Sequence, residues 1–224
     1  MVLPPEVAVM TLPNAILFPQ VMLPLFIFEP RYRKMLRAVL EADRMFAVAM
    51  QKPGSPKGTP SNIAGLGLVR AAVTHKDGTS HLILQGIARI ALTATVKQRP
   101  YRLEKFQLLE TKRSNSLAVD ALTEKVLDLV AERFKQGFPT PILNQLLKMD
   151  AQGGKTNGSG ASLDTIIDYL AKLENPDQLA DLVSCTLLTM PTQRQLILET
   201  VDLETRLKHL IHFLMADLGS QDVK

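Results

Sequence analysis

LPNAILFPQVMLPLFIFEPRYRKML, residues 12–36, is a nearly unbroken apolar run cut by prolines at 13, 19, 24 and 30. Proline has no N–H to give a ladder and clashes with the helical turn before it, so Pro19 and Pro24 confine this stretch to extended, edge or bulged backbone. Pro30 has a different meaning, because it opens a helical pattern where its fixed φ already fits and its missing donor would have no partner. The run therefore predicts strand, irregular crossover, strand, then a helix from about Pro30. That helix carries Tyr32, Met35, Leu36, Val39 and Leu40 on one side.

Around this run the chain falls into two kinds of pattern. Up to about residue 113, Val, Ile and Thr recur in short alternating runs that predict strands over 7–12, 21–28, 45–51, 63–75, 81–96 and 103–109. Beyond it the spacing turns helical, over 117–136, 142–149, 163–173, 176–188, 193–199 and 203–218. The last helix is the plainest: Leu203, Leu207, Leu210, Ile211, Leu214 and Leu218 make one stripe, and Asp202 stands where it can cap the start. Strands followed by helices predict an α+β chain, with a β-rich part over 1–113 and a helical bundle over 114–224. Residues 52–62 (KPGSPKGTPSN) and 150–161 (DAQGGKTNGSGA) read as exposed loops.

Composition narrows the class. The chain has 224 residues, 46% of them hydrophobic, which is ample for a core. Its one cysteine excludes an internal disulfide and suits a reducing compartment. No apolar run approaches the roughly 18 residues that span a bilayer, and the first ten residues have no basic leader pattern. These features predict a cytoplasmic protein.

Three stretches together resemble the Lon-type N-terminal domain, the substrate-recognition part of ATP-dependent Lon proteases, and especially its stand-alone versions. The first is the opening run with its IFEPRYR turn into a helix. The second is DGTSHLILQGIARI (77–90), which is similar to that family's DGT hairpin and following strand. The third is LADLVSCTLLTMPTQRQLILETVDLETRLKHLIHFL (179–214), which is similar to its closing helices. The resemblance implies a twisted, partly closed, PUA-like β-sheet with one helix, followed by a helical bundle. It also implies a recognising part without the ATPase and protease modules of a complete Lon protease, hence no ATP hydrolysis and no peptide cleavage by this chain.

The residues themselves point to no catalytic centre or cofactor. Gly154-Lys155-Thr156 ends like a phosphate-binding loop, but Met149 stands where that pattern needs glycine, and a helical pattern rather than a strand leads into it. Gly65 and Gly67 fail as a dinucleotide fingerprint because Arg70 holds the third glycine position, and they read instead as a bulge or close backbone approach. Cys185 lies in an apolar run as an ordinary small hydrophobe. His209 and His212 share one helix without a third ligand. His75 and His81 flank the Asp77-Gly78-Thr79 turn as cross-strand neighbours if its loop has three residues. No metal site is expected from either pair.

Binding residues are sought in the opening run. Strand 21–28 places Val21, Leu23, Leu25 and Ile27 on one face and Met22, Pro24, Phe26 and Phe28 on the other. The second face is either another core layer, which large side chains favour, or a groove for unfolded polypeptide, where Met and aromatic groups accept varied partners. With Arg31, Tyr32 and Arg33 at the helix entry, the candidate substrate contacts are Met22, Phe26, Phe28, Arg31, Tyr32 and Arg33. The expected partners are unfolded or partner proteins, and an adaptor role beside a separate protease. A competing reading is RNA binding along Lys97, Arg99, Arg102, Lys105, Lys112 and Arg113. Against it stand a net charge of only +4, no tryptophan and 5% aromatics. A third is a small-molecule pocket between the β and helical parts.

Overall fold

The computed structural model describes residues 3–56, 58–112, 116–136 and 163–219. Its elements run β1 (Glu6–Leu12), β2 (Met22–Ile27), α1 (Pro30–Glu41), β3 (Met45–Met50), β4 (Ile63–Thr74), β5 (Ser80–Lys97), β6 (Arg102–Leu109), α2 (Ser116–Lys135), α3 (Leu163–Ala171), α4 (Pro176–Leu187), α5 (Pro191–Glu199) and α6 (Leu203–Gly219). The proline-cut run forms the expected series, with Pro24 inside an edge strand and Pro30 at the head of α1. The predicted helix 142–149, the loop 150–161 with Gly154-Lys155-Thr156, and Arg113 lie outside the described residues.

Six strands order as β2-β5-β4-β3-β1-β6, and β6 also pairs with β5. Thus β5, β4, β3, β1 and β6 close on themselves, while β2 hangs on β5 as an edge. The length of β5 makes this possible: Ser80–Gln85 pair with β2, and Arg89–Lys97 pair with β6. All of β3 is buried, since Phe46 and Val48 pack with Met10, Tyr32 and Met35 while Ala47 and Ala49 pack with Val7, Val9 and Leu66. A strand covered on both faces loses the polar alternation, as MFAVAM does.

Small residues let the crossover before β2 lie against the sheet. A Cβ on Gly65 would collide with the Leu17 carbonyl, and one on Gly86 with the Phe18 carbonyl. The register of β4 against β5 also shifts between Leu66 and Gly67. The close approach and bulge read from Gly65 and Gly67 are therefore both present.

The chain divides into two compact units: residues to Glu110 with Met190–Val201, and Thr111–Thr189 with Asp202–Lys224. A single boundary near residue 114 does not describe this path, because α5 belongs with the sheet. Gln195 Nε2 donates to the Ile63 carbonyl at 3.0 Å, and Arg89 Nε donates to the Leu198 carbonyl at 3.2 Å. Its helical period is the same on either side, so periodicity carries no sign of the excursion. In the helical unit, Asp202 Oδ1 caps α6 by accepting from the Thr205 N–H at 2.9 Å. Leu203, Leu207, Leu210, Leu214 and Leu218 are buried, with Ile211 half-buried at the rim of the stripe. Arg206 is fully buried in the same unit, 2.9 Å from Asp177 and 3.7 Å from Asp181.

Candidate functional site

The backbone of β2 fixes which of its groups face away from the sheet. Pro24 stands opposite Ile83 and has no N–H, so this pair cannot be a hydrogen-bonded one. By alternation, Leu23, Leu25 and Ile27 bond to β5, whereas the main-chain groups of Met22, Pro24 and Phe26 point outward. The bond from the Gly86 N–H to the Val21 carbonyl, 2.9 Å, has the same parity.

The side chains of those outward residues share one face, and that face is open. Phe26 is 49% exposed and Phe28 59%, with their rings stacked 5.9 Å apart. Among the described residues, none forms over them the second core layer that their size favoured. Across the sheet, Phe26 lies opposite His81 with ring centroids 4.6 Å apart, and His81 lies opposite Val73, itself 61% exposed. Met22 is half-buried and Pro24 exposed. The result is an apolar and aromatic row across three strands, of a kind that marks interaction surfaces. Val73 and His81 were not among the expected contacts, since only cross-strand register brings them beside Phe26.

The β4–β5 hairpin closes one end of the row. The His75 N–H donates to the Thr79 carbonyl at 2.8 Å and Gly78 takes φ +79°, which makes a three-residue loop with glycine in the left-handed position. That register puts Val73, not His75, directly opposite His81. The two histidines meet diagonally, with Nε2 of His75 2.8 Å from Nδ1 of His81. Asp77 Oδ1 accepts from the Thr79 N–H at 2.9 Å and the Thr79 hydroxyl at 2.7 Å. Those bonds, the backbone one foremost, hold the Asp77 carboxyl below the usual carboxylate range.

The three residues of the helix entry separate in role. Arg31 is paired with Glu29 at 2.9 Å and lies over the Tyr32 ring at 4.3 Å. Arg33 reaches the hairpin, donating to the Asp77 carbonyl at 2.9 Å. Tyr32 is 4% exposed, and its hydroxyl accepts from the Thr11 N–H at 3.1 Å and donates to the Thr11 carbonyl at 3.0 Å. It is a core residue of α1, its hydroxyl tied to the backbone of β1 rather than offered to a partner. Burial pushes its hydroxyl above the ordinary tyrosine range, with Arg31 opposing.

The basic stripe is interrupted. Arg102 bonds Glu104 at 2.8 Å and Thr95 at 3.2 Å, and Lys97 lies 4.7 Å from the Tyr101 ring. Arg99, Lys105 and Lys112 are exposed. His209 and His212 each lie against Phe213, and Cys185 is half-buried. Among the described residues, no three His, Cys, Asp or Glu side chains gather as metal ligands, and no helix is long and apolar enough to cross a membrane. The β unit also holds a cavity of about 560 Å³ lined by Met50, Lys52, Ser61, Gln195 and Glu199.

A partly closed six-stranded sheet thus carries an open aromatic edge, and a helical unit completes the chain. The family model of the ATP-dependent protease La (LON) substrate-binding domain matches residues 6–216, and the chain belongs to that family. A Lon protease of Desulfosudis oleivorans is 27% identical over 211 residues, covering 92% of this chain and 23% of that protein. Lon protease 2 of Herpetosiphon aurantiacus is 27% identical over 209 residues, with 92% and 23% covered. The chain thus spans about a quarter of the length of these relatives. The N-terminal domain of a Mycobacterium avium complex Lon protease superposes with a TM-score of 0.68 at 16% identity, covering 94% of this chain and 98% of that one. A Lon N-terminal domain protein from Xanthomonas campestris gives 0.58 at 15% identity, with 93% and 98% covered. At such identities these two likenesses speak for the fold.

Proposed function

We propose that this chain is a non-catalytic protein-binding module that holds unfolded or partner polypeptides on the Phe26/Phe28 face and serves as an adaptor in cytoplasmic protein turnover. The exposure of two stacked phenylalanines, one in the edge strand β2 and one just past its end, carries this reading, because adjacent large aromatics left in water mark interaction surfaces. Met22 extends the face, and Arg31 and Arg33 set charge at its rim. The family's substrate-binding character supports a polypeptide as the occupant.

The test is a titration of a permanently denatured model protein and of a mixed RNA pool at low and high salt, with wild type and Phe26→Ser. Apolar burial is not screened, so protein binding should change little with salt and be lost in the variant while its unfolding midpoint holds. RNA affinity that falls steeply with salt and depends on Arg99 and Lys105, with no protein binding, would replace this reading by nucleic-acid recognition.

A further inference from the structure

Resting on that reading, we propose that the polypeptide docks as an added strand on the outer edge of β2, held by main-chain hydrogen bonds as well as by the aromatic row. Among the described residues β2 pairs with β5 alone. Its outward groups are the carbonyls of Met22, Pro24 and Phe26 and the N–H groups of Met22 and Phe26, repeating every second residue. An extended chain offers donors and acceptors at that same period, which a helix or a compact surface does not. Pro24 removes the central donor. An edge so interrupted resists wholesale pairing with other sheets while keeping enough bonds for reversible capture of one strand.

Side chains and charge narrow the occupant further. Residues of the added strand bonded to Met22, Pro24 and Phe26 put their side chains on the Phe26–His81–Val73 face, so alternate positions should be apolar. At the hairpin end Arg33, which reaches the Asp77 carbonyl, and Lys76 in the loop bring two positive charges against the one negative charge of Asp77, which stays ionised while accepting from Thr79. At the other end Arg70 bonds Gln85, the cross-strand partner of Met22. The fitting occupant is an extended apolar segment of a non-native protein with carboxylates at its ends.

The probe is a fluorescent ten-residue peptide of alternating Val and Thr closed at both ends by Glu, in three forms: unmodified, N-methylated at every Val, and N-methylated at every Thr. N-methylation removes donors from one edge of a strand and leaves every side chain in place. Strand addition predicts that one methylated form loses affinity by about a hundredfold, as three hydrogen bonds of about 1 kcal/mol each to the Met22, Pro24 and Phe26 carbonyls imply, and the other keeps it. Phe26→Pro should bind about fivefold more weakly than Phe26→Val, because the two side chains are similar in size and only the outward N–H differs. Unfolding midpoints of the two variants are compared, and the Phe26 N–H takes no part in the ladder to β5.

Equal binding of all three peptides, or no peptide binding while the denatured protein still binds through Phe26, overturns strand addition and leaves the recognition role standing. Absence of both peptide and denatured-protein binding overturns the two together. A concentration-dependent dimer that Phe26→Pro abolishes, with no peptide binding, would assign the edge to a second copy of the chain and overturn the proposal.

Discussion

Replacing Tyr32 by phenylalanine removes one oxygen, and the structure allows the cost to be worked out. The pairing of β1 with β6 ends at Val9↔Arg102. The same register would set Pro100, which has no N–H, opposite Thr11. The Tyr32 hydroxyl fills that place, accepting from the Thr11 N–H and donating to its carbonyl. Thr11 is buried, so Tyr32→Phe orphans a backbone donor and acceptor together. At about 1–3 kcal/mol for each unsatisfied group, less what the removed hydroxyl itself lost on burial, the loss should be about 2–4 kcal/mol. In urea this is a fall of about 1–2 M in midpoint at unchanged slope, read by hydrogen exchange in peptides from β1 and β3 so that the β unit is followed by itself. The effect should depend on pH. A tyrosine pKa raised by folding contributes stability that is whole below its unfolded value of about 10 and is lost as pH climbs through the folded value. The gap between wild type and variant should therefore be full below the unfolded value of about 10 and narrow as pH climbs above it. A loss below about 0.5 kcal/mol, or a gap constant with pH, would refute the assignment of this hydroxyl as the end of the ladder.

Gly65→Ala should cost about 3 kcal/mol or prevent folding, because its Cβ meets the Leu17 backbone, whereas Gly54→Ala, in open space at φ +68°, should cost only about 1 kcal/mol; thermal midpoints decide. Arg206→Ala leaves Asp177 and Asp181 facing each other without the guanidinium and should destabilise the helical unit by about 3–5 kcal/mol, measured by exchange in α4 and α6 peptides. The purified chain should show only background ATP turnover and casein cleavage, and turnover abolished by Lys155→Ala would contradict a purely binding role. Light proteolysis should cut first within 52–62 or 150–161 and spare β2 and α6.

The proline-cut run 12–36 was legible because its signals are local. A missing N–H at Pro24 and a fixed φ at Pro30 act on their own residues wherever the chain goes, so strand, crossover, strand and helix could be read without partners. The Asp202 cap and the leucine stripe of α6 were readable for the same reason. Family membership was legible too, because it rests on the order of such local blocks.

What local pattern could not show was which surfaces meet. Alternation put Met22, Phe26 and Phe28 on one face of β2, but burial depends on whether another layer covers that face, and none of the described elements buries Phe26 or Phe28. Tyr32 stood beside Arg31 and Arg33 as a contact candidate, yet the turn of α1 directs it to Thr11, more than twenty positions back in the chain. Val73 and His81 joined Phe26 only through the register of β2, β5 and β4, which shifts at bulges that alternation does not reveal. Helix α5 lies with the sheet through Gln195 and Arg89, although its period is the same as that of the helices on either side. Local backbone chemistry set the elements, and long-range pairing alone decided which of their faces remained for a partner.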